Sequence, residues 1–534
     1  MYWWYLRHGF PEFGLLFDPV DDAGLLAAHA PFPRLPQLGF TPVSWLMHHL
    51  ADRARLDPHL RLKSAEGQEA LLNWFFAKGL SEANLEALLT PEQAELLSRI
   101  ALPDSKVTRL HVAVWCDAAV CARFPSPDDT GFLAWCRGEG SVDFPMLAHP
   151  LIAIAKIPAR PRLDARPFGV NLFGHVHARS GVAEDVRMAA KALEAASVPF
   201  TLHNVEAGAT MADEELGATI QNHRTYAFNL FCMTAPSTAA AASKIGRQPM
   251  ARHWNIGFWP WELPELPDIW RPIYTLVDEV WASSRYTYEA LCRSATRPIR
   301  HMPMAVTVDE SDGLDRSAFD LPRDHFLFGF AFDGLSTFSR KSPMYCIDAF
   351  SRAFPEGNEP AGLVIKAIRV ETDDRWALIE KAAASDARIR LIARSLSKGA
   401  LLDLWRSLDC FVSLHRAEGF GRNIAEAMML GKPVVVTAHS GNMDFTRHDN
   451  AALVPARLSL IQPGDYPFGA GQLWASPDIN EAAARMRRIF KDAPWRDALG
   501  TQAAASLVSN YAPDVVGEIW RDALWKRYNQ VSDA

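Results

Sequence analysis

A chain of 534 residues exceeds what one hydrophobic core can hold and predicts two or three domains. Its 49% hydrophobic and 22% charged content is that of an ordinary globular protein, and a net charge of −7 argues against nucleic acid as the main partner. The odd, scattered cysteines (Cys116, Cys121, Cys136, Cys232, Cys292, Cys346, Cys410) include no second close pair to complete a metal-ligand spacing, so they read as reduced, mostly buried thiols of a cytoplasmic protein.

No run reaches the ~18 apolar residues of a membrane span. The opening "MYWWYLRHGF" lacks the charged-then-apolar layout of a signal peptide and is expected to pack onto the body. The 17 tryptophans permit a carbohydrate role, since aromatic faces stack on sugar rings as well as filling cores.

From residue 1 to 162 the pattern is helical. "GFTPVSWLMHHLADRARL" and "EGQEALLNWFFAKGLSEANLEALLTPEQAELLSRIAL" carry apolar residues at three- and four-residue spacing. Ser81 before "EANLEALL" and Thr90-Pro91 before "EQAELLSRI" are expected helix starts, each with an acidic first turn. "LLNWFFAKGL" and "FLAWCRGEG" echo one another, each a tryptophan with a glycine five residues on. The segment Pro158–Pro167, "PARPRLDARP", reads as a linker.

Short apolar, β-rich runs then alternate with helical stretches. "PFGVNLFG", "PFTLHNV", "AFNLFCMT", "HWNIGFW", "EVWASS" and "RHMPMAV" form one series over 163–308, with helices at "SGVAEDVRMAAKALEAAS" and "YTYEALCRSA". "HFLFGFAFD", "GLVIKAI", "RIRLIAR", "DCFVSLH" and "PVVVTAH" form a second over 309–508, and "APDVVGEIWRDALWKRYNQ" supplies a last amphipathic helix over 509–534. Such alternation predicts two parallel sheets covered by helices, with ligands at the carboxyl ends of the strands and a site in the cleft between the units.

The densest chemistry lies in "LHRAEGFGRNIAEAMMLGKPVVV". Gly419-Phe420-Gly421 turn a strand into a helix, a geometry in which backbone N–H groups and a helix N-terminus favour phosphate. Glu418 and Glu426 frame that elbow, with Arg422 and Asn423 opening the helix; Glu426 is placed to accept from ribose hydroxyls and Glu418 to face what lies beyond the phosphate. Arg340 and Lys341, ahead of Ser342-Pro343, are expected at the same cleft edge, the lysine as a point charge and the arginine as a fork. On the facing half, Ser180-Gly181 opens a helix, and Trp259, Trp261 and Glu262 are expected to line the cleft. Glu262 is a candidate acceptor-hydroxyl ligand or base, against a packed tryptophan corner with a capping glutamate before Pro264; His175 and His177 are further candidates.

"EGFGRNIAEAMMLGKPVVVT" resembles the E-x7-E signature of retaining, GT-B-fold glycosyltransferases of the family-4 type, with "RKSP" where their donor-phosphate lysine stands. The resemblance extends over roughly 168–534: "FGHVHARSGVAEDVR" and "VDEVWASSRYTYEAL" with "HMPMAV" are similar to parts of the N-terminal half, and "NIGFWPWELPELPD" and "SGNMDF" to a bacterial branch that builds surface polysaccharides. It implies an α/β fold of two Rossmann-like parallel-sheet domains behind a mainly helical N-terminal domain. It also implies transfer of a hexosyl or deoxyhexosyl group, with retention, from a nucleotide diphosphate sugar to a glycan or lipid-linked glycan acceptor in O-antigen, capsule or exopolysaccharide assembly. By position, Glu418 would contact the donor sugar, Gly419, Phe420 and Gly421 the sugar or diphosphate, Glu426 the ribose, and Lys341 with Arg340 the diphosphate; Arg422, Asn423, Ser180 and Gly181 complete the expected donor contacts. The implied account of attack is front-face, with the leaving phosphate helping to take the proton.

Many relatives carry an arginine about six residues before the lysine; here Leu335 stands there, with Ser336, Ser339 or Arg340 as substitutes. Many also carry a histidine after the strand at "HWNIGFW", whereas here His253 precedes it. No Asp-x-Asp triplet is found, which fits metal-independent transfer with no cofactor beyond the sugar nucleotide. Expected placement is cytoplasmic, at the inner membrane face or with assembly proteins, the helical domain docking partners, acceptor or membrane. The rival readings are a catalytically silent GT-B scaffold and a nicotinamide-dependent enzyme; the latter wants a G-x-G-x-x-G that neither "GHVHARSG" nor "FDGLSTFS" supplies.

Overall fold

The computed structural model describes residues 31–532 apart from 33–38, 57–61, 84, 87–88, 103–104, 150–165, 179, 206–223, 246–249, 251–252 and 372. The aromatic opening and most of the Pro158–Pro167 linker lie outside these residues. Contacts divide the chain into two units, residues 1–165 with 239–253 and residues 166–238 with 254–534.

The first unit is helical because its apolar residues recur at helical spacing and polar caps satisfy the free N–H groups of its helix starts. Ser44, Ser64, Thr108 and Asp129 cap the helices Trp45–Arg53, Ala65–Trp74, Arg109–Trp115 and Thr130–Arg137. Thr90 caps Pro91–Ser98 as expected, with Gln93 accepting from the Thr90 N–H in return. Ser81 does not start a helix: the Ala65–Trp74 helix continues through a π-turn at Phe75–Gly79 into Leu80–Glu82, leaving Ser81 inside its last turn. The buried run Phe75, Phe76, Ala77 and Leu80 keeps that path helical, outweighing the serine's capping tendency. The two echoing segments share a local packing: a Cβ on Gly79 would lie 2.8 Å from the Trp74 ring, and one on Gly140 2.7 Å from the Trp135 ring. In both places the glycine makes room for the indole that precedes it.

In the second unit, the predicted apolar runs form eleven strands: β1 (Val170–Gly174), β2 (Phe200–Asn204), β3 (Phe228–Cys232), β4 (Trp254–Phe258), β5 (Glu279–Ala282), β6 (Ile299–His301), β7 (Phe326–Asp333), β8 (Ala361–Ile368), β9 (Ile389–Ile392), β10 (Cys410–Ser413) and β11 (Val434–Thr437). Three more were not anticipated: β12 (Ala452–Val454) and the antiparallel arm β13 (Ala456–Leu460) with β14 (Leu473–Pro477). One parallel sheet has the order β2-β1-β3-β4-β5-β6, the other β12-β11-β10-β7-β8-β9. Together with the helical region ahead of them, these sheets make an α/β GT-B fold.

Both sheets are buried on two faces, which suits their near-continuous apolar strands. The first also carries a buried polar ladder: Asn171 donates to Asn229, and Asn229 to Asn255, each at 2.9 Å, linking β1, β3 and β4. The last helix, Pro513–Ser532, leaves the second sheet and returns to the first. There Trp520 donates to the Pro303 carbonyl (3.0 Å), and Gly517 lies so close to the Gly181–Ala195 helix that a Cβ would sit 2.2 Å from the Ala192 oxygen.

Candidate active site

A cleft of about 800 Å³ opens where the carboxyl ends of the two sheets face each other. Its walls hold Ser180, Gly181, Glu262 and His175 from the first half and Arg340, Lys341, Glu418, the elbow and Glu426 from the second. His177 is not among its described lining residues; its N–H meets Asn204 Oδ1 at 3.4 Å.

The elbow forms as its glycines require. Gly421 sits at φ +99° as it enters the Arg422–Met429 helix, a conformation that L side chains rarely adopt. Gly419 packs against the other half, where a Cβ would lie 2.9 Å from the Trp261 carbonyl oxygen. Its own carbonyl accepts from Ser284 and, at 3.2 Å, from Thr287. Among the described residues, the N–H groups of Gly419, Phe420 and Gly421 have no hydrogen-bond partner.

Glu418 is buried between two cations. Arg340 Nη1 donates to its Oε2 at 3.2 Å and Lys341 Nζ pairs with its Oε1. Burial pushes the Glu418 carboxyl up, but Lys341 and Arg340 outweigh it and hold it at about 2. Burial also pulls Lys341 below the usual lysine value, with Glu418 opposing. Arg340 is no solvated surface cation: its remaining donors reach the Ser336 (3.1 Å) and Ala417 (2.9 Å) carbonyls, and Nη2 lies 3.9 Å from Glu262. Leu335, at the position of the relatives' arginine, is 64% exposed and lines the cleft.

Glu426 is 1% exposed and pairs with Lys398 at 2.5 Å; its Oε2 is buried without a hydrogen-bond partner. Lys398 also reaches Glu184 of the facing half at 3.0 Å. Burial raises the Glu184 carboxyl, yet Lys398, Arg422 and Arg187 hold it at about 2. Arg422 points across the cleft to Asp185 at 2.6 Å, while Asn423 stays on the lining.

Besides His177, the facing half differs from expectation at its two tryptophans. Trp259 and Trp261 do not line the cleft. Trp259 is 1% exposed, donates to Thr238 Oγ1 (3.1 Å) and packs on Tyr274; Trp261 is 5% exposed, donates to the Glu265 carbonyl (2.9 Å) and meets Trp270. Each indole is large enough that burying it outweighs leaving it in the cleft, so the stretch is a packed corner that delivers Pro260 and Glu262 instead. Glu262 accepts from Tyr466 Oη at 2.7 Å, across from the second half.

Sequence reasoning missed Tyr466, Lys398, Asp185 and Lys366. Lys366 had a signal, a charge within the apolar strand "GLVIKAI", and Asp185 lay in the quoted stretch "FGHVHARSGVAEDVR" without being singled out; Tyr466 and Lys398 lie in stretches without a motif.

Residues 341–506 match the family model described as Glycosyl transferases group 1. No curated protein matches the chain. Among solved structures, it is similar to Anabaena Alr3699/HepE in complex with UDP and glucose (TM-score 0.50, 15% identity, covering 67% of this chain and 99% of that one). It is also similar to sucrose-phosphate synthase from Thermosynechococcus elongatus (0.50, 14%, 68% and 100%) and a glycosyltransferase from Rickettsia africae (0.50, 12%, 68% and 98%). The family match over residues 341–506 and the two-sheet architecture together support a GT-B glycosyltransferase.

Proposed function

We propose that the chain is a retaining, metal-independent glycosyltransferase that moves a hexosyl or deoxyhexosyl group from a nucleoside diphosphate sugar to a glycan or lipid-linked glycan in bacterial surface-polysaccharide assembly. The observation that carries the reading is the convergence of Glu418, Lys341, the unpaired elbow amides and Glu426 on one cleft. Lys341, the amides and the helix N-terminus are suited to the charge that grows on a departing diphosphate. The buried, unpartnered Oε2 of Glu426 is suited to a ribose hydroxyl. A carboxylate held at about 2 is a poor proton acceptor, so Glu418 binds sugar hydroxyls and does not act as a base. Glu262, on the acceptor side and held by Tyr466, is the residue left to orient the incoming hydroxyl. The protein acts in the cytoplasm or at the inner face of the membrane; among the described residues no helix is long and apolar enough to cross one.

The test is donor hydrolysis or transfer by the full chain and by Glu418→Ala and Lys341→Ala. Uridine diphosphate sugars come first, because HepE was solved with UDP-glucose. Folded variants that both turn over as fast as the wild type would remove the assignment from these residues. A wild type that binds sugar nucleotides without turnover with any acceptor would favour the silent scaffold.

A further inference from the structure

Along β8, Ala361, Leu363, Ile365 and Ala367 face the helix-covered core, so the two-residue period turns Lys366 and Ile368 the other way. They form the cleft floor with Ala331 of β7, which pairs with Lys366 in the parallel ladder, and with Phe411 and Ser413 of β10. Lys366 is 5% exposed, and its ammonium makes one hydrogen bond, to the Ala367 carbonyl at 3.1 Å. Among the described residues, Asp333 at the end of β7 is the one carboxylate whose charge opposes its burial, and both Asp333 oxygens accept from Arg369.

Every other cation on the described cleft lining has a carboxylate: Lys341 and Arg340 have Glu418, Lys398 has Glu426, Arg187 has Glu184, and Arg422 has Asp185. Lys366 alone does not. Three donors meeting one carbonyl leave a buried ammonium poorly compensated, and its charge is open to an anion entering from the cleft.

We propose that Lys366 binds the diphosphate of the donor from the cleft floor. The inference rests on the donor reading above and adds a residue outside the glycine elbow and the Arg340-Lys341 pair. Burial pulls the ammonium down to about 8, helped by Arg394 and Arg369 and opposed by Asp333, so the free protein loses this charge as pH rises past that value.

The experiment is calorimetric titration of the full chain, wild type, Lys366→Met and Lys366→Arg, with UDP, GDP and ADP and with the nucleoside of whichever binds. Lys366→Met should weaken the diphosphate by roughly 10- to 100-fold, the loss of one charge-assisted contact, and change the nucleoside by less than about twofold. Wild-type affinity for the diphosphate should fall between about pH 7 and pH 9 more steeply than that of Lys366→Arg, which keeps Lys341 but not the titrating Lys366; a packing role would not produce that difference. Equal losses for nucleoside and diphosphate, no loss, or matching pH profiles in wild type and Lys366→Arg would each overturn the assignment; if Lys366→Met does not fold, the two profiles decide. A wild type that binds no nucleoside diphosphate would overturn the donor reading itself.

Discussion

Asp185, near the start of the first helix of one half, receives Arg422, the first residue after the glycine elbow of the other, at 2.6 Å. Asp185 is buried and Arg422 half-buried, each side chain 11% exposed, so the pair ties the two walls of the cleft together where water screens it weakly. Removing one partner strands a buried charge, which costs about 3–5 kcal/mol. Arg422→Ala should therefore lower stability in urea unfolding by about that much, and Arg422→Ala/Asp185→Ala should recover part of it. Strict additivity of the two single losses would mean that the pair does not hold the halves.

Acid should loosen the same region. Glu418 and Glu184 are held at about 2, below the ordinary 4.5 of a glutamate. Their contribution, of order 2–3 kcal/mol each, is complete above pH ~4.5 and is lost as pH falls towards 2. Asp185 runs the other way: burial lifts it to about 6, with Arg422 opposing, so its contribution is complete below pH ~3.8 and lost as pH rises through 6. Stability of Glu418→Gln followed from pH 6 to pH 3 should decline less steeply than the wild type, and Asp185→Asn more steeply. Parallel curves for all three proteins would refute the charge assignments.

Turnover should respond to the elbow's two grips unequally. Glu418→Gln and Lys341→Ala are each expected to lower kcat about 10²- to 10³-fold, the scale of losing a group that stabilises developing charge. Glu426→Gln should act mainly on KM for the donor, because a ribose contact is the same before and during transfer. Steady-state kinetics with the best donor separates these patterns.

The asparagine ladder gives a prediction free of function. Asn229→Ala would remove one buried hydrogen bond from Asn171 and one from Asn255 inside the first sheet, at about 2–4 kcal/mol in total. Urea unfolding of this variant should show that loss while donor affinity, read by thermal shift, stays near wild type.

The strands were legible where their residues are apolar and β-branched or aromatic, as in "HFLFGFAFD" and "PVVVT". They were not legible at Ala452–Val454, three residues long, or in the β13–β14 arm, where Leu458, Leu460 and Leu473 are exposed and no alternation marks a buried face. The elbow's glycines and glutamates were legible because a phosphate-holding turn restricts residue types locally. The orientation of Trp259 and Trp261 was not, because an indole serves a core or a sugar equally well until its neighbours are placed. Nor was the Asp185–Arg422 pair, whose members are 237 positions apart in sequence.

The chain passes between the halves twice, once after β6 and once at the start of the last helix. These two passes touch: the Val306 N–H donates to the Tyr511 carbonyl at 2.8 Å. Two straps fastened to each other hold the halves together at the back of the cleft, so opening of its front is expected to hinge there. Such an opening would have to break Asp185–Arg422, Lys398–Glu184, Glu262–Tyr466 and the Ser284 and Thr287 bonds to Gly419.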